Sequence, residues 1–137
     1  MSQRIIVHSL ADARAALAAA SALGLPVTLA SAPGAGTYAG PHWFLALVAE
    51  AAREHPGVAV DAVIDCADEA GTALAALRAG CKRVHFTGRA DTREKLGEIA
   101  AALGAEIEGG DRDALDLLDQ RDPEAACRAY LGHKRER

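Results

Sequence analysis

The chain has few aromatic residues, few cysteines and no long apolar run, and each shortage excludes a class of protein. Phe, Tyr and Trp together make up 4% of the 137 residues, which argues for helices packed closely through small side chains rather than for an all-β shell. Cys66, Cys81 and Cys127 are odd in number and far apart, with no C-x-x-C pair and no histidine at zinc-finger spacing. Neither a disulfide framework nor a metal site is expected, and reduced thiols in a cytoplasm are the simplest reading. Charges interrupt every apolar run well before the roughly 18 residues of a membrane span. The opening MSQRIIVHSL lacks the apolar core of a secretory signal, so none is expected. Positive charge is not in excess: the formal net charge is -4, and the short basic end HKRER does not reverse it, so neither nucleic acid nor a membrane is an expected partner.

What is present is the composition of a globular protein, 50% hydrophobic and 25% charged. The length suits a single α/β domain over residues 1–137, with a tail at about 132–137 expected to be disordered. A short β-branched run followed by a longer Ala- and Leu-rich stretch occurs five times. RIIVHS (4–9) leads to a helix near 11–23, PVTLAS (26–31) to one near 41–55, VAVDAVIDC (58–66) to one near 68–79, and KRVHFTG (82–88) to one near 91–103. AEIEGG (105–110) leads to a C-terminal region that Pro123 divides into two short helices, DALDLLDQ and EAACRAYL. Gly24, Gly80 and Gly104 stand where helices stop, and Asp12, Asp68 and Asp91 where they start.

Five βα units imply a five-stranded, mostly parallel sheet. A flavodoxin-like three-layer sandwich is the first expectation, and a half-TIM-barrel with helices on one face is the alternative. Asp61, Val63 and Asp65 alternate with Ala62, Ile64 and Cys66, and Arg83, His85 and Thr87 alternate with Val84 and Phe86, so one face of the sheet is partly polar. In either architecture a ligand belongs at the carboxyl ends of the strands.

The stretch SAPGAGTYAGPHWF (31–44) lies at such an end. Beginning at Ser31, it offers Gly34 and Gly36 for close backbone approach, the Thr37 hydroxyl, and His42 at the head of the next helix, which is the chemistry a phosphate or carboxylate requires. Read through Ala39 it even meets a relaxed G-x-G-x-x-A pattern, but it follows the second strand, and Gly40 and Pro41 place the helix start after the pattern. Anion binding and a flexible turn both remain open for this loop. Asp65, Cys66 and Asp68 crowd the end of strand three, and His8, Ser9, His85, Thr87 and Arg89 the ends of strands one and four. Asp65 and His85 are the candidate catalytic pair, with Asp68 and Thr87 as candidate ligand contacts. The plain alternatives are an N-cap for Asp68, a hydrogen-bonded, half-buried ring for His85, a core position for Cys66, and packing against the sheet for Trp43 and Phe44.

The segments PVTLASAPGAGT and VIDCADEAGTALAALRAGCKRVHFTG, within about residues 26–108, resemble the aldolase-type βα units of TIM barrels. That resemblance implies the βα architecture more than the activity. A Schiff-base aldolase would need a strand lysine in its pocket, whereas Lys82 stands at a strand entry, Lys95 in a helix and Lys134 in the tail, and the His-rich motif of the metal-dependent aldolases is missing. Two functions are therefore expected as alternatives. One is a site for a phosphate- or carboxylate-bearing metabolite, its reaction and any cofactor unassigned. The other is a non-catalytic interaction module that forms a homodimer or docks a partner protein.

Overall fold

A computed structural model of the chain describes residues 2–135, with side chains described through residue 133. The fold is α/β, with six strands and six helices among the described residues and every strand pairing within its units parallel. It accords with the three-layer α/β expectation, with one strand more than the five expected. The elements fall into two compact units, one formed by the residues up to Ala30, by Ala46–Asp61 and by those from Asp113 onward, the other by Ser31–Leu45 and Ala62–Arg112.

In the first unit, β1 (Gln3–Ile6) pairs with β2 (Val27–Ala30) on one side and β6 (Leu115–Asp116) on the other. Helix α1 (Leu10–Leu23) connects β1 to β2. Its start is fixed by reciprocal capping: Ser9 Oγ accepts the Asp12 N–H at 3.1 Å, and Asp12 Oδ2 accepts the His8 N–H at 2.8 Å. Its end is fixed by Gly24 at φ 66°, whose N–H reaches back to Ala20 and Ser21. The buried face of α1 is Ala13, Ala16, Leu17, Ala19 and Ala20. This nearly smooth surface lets α6 (Pro123–Arg135) approach closely and bury Cys127 and Leu131. The last region thus differs from the expected pair of helices: DALDLLDQ supplies the sixth strand, and α6 alone follows Pro123. Leu115 and Leu117 alternate with exposed Asp116 and Leu118, a period of two that helix propensity did not reveal. Of the expected tail, residues 132–135 fall within α6, and residues 136–137 lie outside the described residues.

In the second unit, β4 (Arg83–His85) lies between β3 (Val60–Asp65) and β5 (Glu106–Glu108). A single helical turn, α2 (Ala35–Tyr38), precedes α3 (Pro41–Arg53), of which only the start, up to Leu45, belongs to this unit, while α4 (Ala70–Arg78) and α5 (Ala90–Ala102) connect the strands and pack on each other. Val63, Ile64, Val84, Phe86 and Phe44 form its core. Phe44 packs as expected, but Trp43 is 42% exposed, because successive helical residues point about 100° apart and Phe44 takes the inward direction. No helix among the described residues is long and apolar enough to cross a membrane.

Candidate functional site

The parallel register of the second unit sets three ionisable residues abreast, since Asp65 is the partner of His85 across β3 and β4, and His85 that of Glu108 across β4 and β5. They stand at the carboxyl ends of their strands, and their side chains share one face because equal register gives equal pleat. This is the partly polar face that the strand alternation implied. His85 and Glu108 are both 8% exposed, and His85 Nδ1 bonds Glu108 Oε2 at 2.7 Å. An ionised Glu108 can only accept, so it would take the proton of an Nδ1–H tautomer, and no hydrogen bond at Nε2 is made among the described residues. Arg112, on the loop after β5, reaches to 3.8 Å of the same Glu108 oxygen.

Asp65 has a different task. Its Oδ1 accepts the Gly34 N–H at 3.0 Å and the Ala67 N–H at 2.9 Å, while its own N–H donates to Ser31 Oγ at 2.8 Å. It thereby ties the loop after β2 to the turn after β3, where Ala67 is held at φ 50°, and it is a strut rather than half of a pair with His85. The Gly34 N–H that an anion would need is occupied by this carboxylate.

Gly36 is needed for packing. A Cβ there would lie 2.9 Å from Cys66 Sγ, 3.2 Å from the Asp65 carbonyl oxygen and 3.2 Å from Thr72 Cγ2. Thr37 Oγ1 meets Thr72 Oγ1 at 3.3 Å. Ser31 is buried, whereas His42, Asp68 and Thr87 are exposed. Asp68 does not cap α4, whose N-cap is Glu69 without a side-chain bond; Glu69 N–H is committed to Cys66 O, closing a turn that holds Asp68 outside the helix. Thr87 contributes its N–H to Ala67 O at 2.8 Å. His8 pairs with Asp116 at 2.6 Å in the first unit, and Arg89 with Asp91 at 3.0 Å in the second.

The Cys66 thiol is pushed up to about 12, by burial first and then by the charges of Asp65 and Cys81, which removes it as a nucleophile at neutral pH. No group of three or more His, Cys, Asp or Glu among the described residues could hold a metal. A depression of about 390 Å³ lies within the first unit, lined by Ser21, Leu25, Pro26 and Val58 among others.

Glu108 and Arg112 were not singled out by sequence reasoning. Glu108 follows from the alternation of EIE only once the register of β5 against β4 is known. Comparison with protein-family models yields no match, and neither does a search of curated proteins.

Proposed function

We propose that the chain binds a small metabolite bearing a phosphate or carboxylate group at the carboxyl ends of β4 and β5. The observation that carries this reading is the buried His85–Glu108 pair, which orients the imidazole and leaves Nε2 for a ligand. A carboxylate on one ring nitrogen and an open second nitrogen is the arrangement by which proteins aim a histidine at a substrate or an anion. A thermal-shift screen of phosphate- and carboxylate-bearing metabolites tests the reading, because a ligand selective for the folded state raises Tm by mass action. Stabilisation of wild type that is lost in His85→Gln supports it, and equal stabilisation of both contradicts it.

A second reading, a non-catalytic module that forms a homodimer, is favoured by Tyr38 and Trp43. They stand 72% and 42% exposed on either side of Gly40, and large aromatics at this exposure are typical anchors of protein interfaces.

A further inference from the structure

His85 is nearly covered, but its Nε2 is not sealed in. Tyr130 Oη is the one buried side-chain nitrogen or oxygen without a hydrogen-bond partner among the described residues, so Nε2, which makes no hydrogen bond, reaches solvent. What it takes there depends on how many protons the His85–Glu108 pair holds. With one proton, lying in the 2.7 Å between Nδ1 and Glu108 Oε2, the ionised carboxylate accepts from Nδ1–H and Nε2 presents a lone pair. With a second proton on the pair, Nε2 becomes an N–H donor. Arg112 stands against that second proton. Gly110, at φ 76°, turns the chain after β5 and lets Arg112 reach back, its Nε lying 3.8 Å from the same Glu108 Oε2. This is an ion pair without a hydrogen bond, so it acts through charge, and a neighbouring cation favours the carboxylate over the acid. The other charges abreast of the ring are already engaged. Asp65 has its Oδ1 on the Gly34 and Ala67 N–H groups, and Arg83 and Glu106, one pleat back, pair with each other at 2.7 Å.

Resting on the metabolite reading above, we propose that His85 Nε2 is a hydrogen-bond acceptor for a hydroxyl of the ligand, and that Arg112, acting through Glu108, is the positioning residue that keeps it one. The lone pair of Nε2 repels an oxyanion and attracts an O–H. The substrate class is therefore a hydroxylated anion, a hydroxy acid or a phosphate ester carrying a free alcohol, whose charged group lies away from Nε2. A site built to pair with a hydroxyl discriminates strongly against the analogue that lacks it.

Two measurements on the full chain at neutral pH test this. Two-bond ¹H–¹⁵N spectra show which ring nitrogen carries the proton, with His85→Gln assigning the signals. Calorimetry compares glycerate with propionate, and glycerol 3-phosphate with propyl phosphate, each pair differing in the alcohol. The proposal expects Nδ1 protonated and Nε2 bare in the free protein. It expects at least one hydroxylated probe to bind about tenfold or more tightly than its partner, with a saturable shift at Nε2. Arg112→Gln should let Nε2 gain a proton and should narrow the preference, and Arg112→Lys should restore both; loss of a merely structural contact would move neither. A protonated Nε2 in the free wild type overturns the acceptor role. Equal binding within each pair, with the His85 shift, overturns the hydroxylated class and leaves the metabolite site standing. A folded Arg112→Gln protein with the wild-type ring protonation and preference removes Arg112 from the proposal. If no probe binds or moves His85, the proposal falls together with the metabolite site.

Discussion

The Asp65 carboxylate accepts the backbone N–H of Gly34 at 3.0 Å. The glycine loop after β2 has thus been supplied with an anion by the protein itself. The same oxygen takes the N–H of Ala67, so one side chain satisfies two turns that carry positive φ angles, at Gly34 and at Ala67.

Asp65→Ala should therefore destabilise the fold by about 1–3 kcal/mol, the cost of stranding part-buried donors. Hydrogen exchange should quicken most at Gly34 and Ala67. Unchanged exchange at both amides would show that the carboxylate does not organise these turns.

Gly36→Ala should lower Tm even without any ligand. The added methyl must displace Cys66 Sγ and the Asp65 backbone, overpacking that costs roughly 1–3 kcal/mol, or on the order of 3–10 °C for a chain of this size. A melting curve identical to wild type would return Gly36 to the ligand-contact role expected of it from its sequence context.

How much was legible in the sequence follows from what each feature depends on. Helix ends were legible because capping is local: Gly24, Gly80 and Gly104 all adopt positive φ just past their helices. The buried strand segments were legible from their β-branched runs. The third member of the row of ionisable residues was not, because Glu108 meets His85 across 23 residues, and only inter-strand register, which depends on the whole sheet, brings them together. Asp65 was visible as an unusual strand-end acid, but a catalytic carboxylate and a turn-tying one have the same sequence signature. The two-residue strand β6 was too short for its alternation to compete with the helix-like composition of DALDLLDQ.

The pair formed by His8 and Asp116 should make β6 sensitive to acid. Burial raises the Asp116 pKa, but the Leu118 N–H and the His8 side chain outweigh it and leave it below the ordinary 3.8. A carboxyl depressed in the folded state stabilises fully above its unfolded value and loses that contribution as pH falls through the folded one. The stability difference between wild type and Asp116→Asn should hold near neutrality and vanish on acidification below the ordinary carboxylate range. Denaturant titrations at a series of pH values measure it, and a difference that grows on acidification has the wrong sign.

All three thiols should be nearly inert in the native protein. Burial, the largest cause in each case, pushes Cys66 and Cys127 up to about 12 and Cys81 up to about 11, leaving little thiolate at pH 8. Mass spectrometry after brief iodoacetamide treatment should find no label without denaturant and three labels with it. Rapid native labelling of Cys66 would contradict its assignment to the core.

If the exposed Tyr38 and Trp43 serve a homodimer, light scattering should give twice the chain mass at micromolar concentration, and Trp43→Ser should return it to the monomer. A monomer mass for wild type across that range rules out the interaction reading.

The central claim, that His85 Nε2 faces a ligand while Glu108 holds the other nitrogen, is tested most directly by the imidazole ¹⁵N resonances during titration with phosphate-bearing metabolites. The account predicts a saturable shift at Nε2 of His85, with a far smaller change at Nδ1 and only a weak linear drift at exposed His42. A His85 ring that does not respond, or that moves no more than His42, would contradict it.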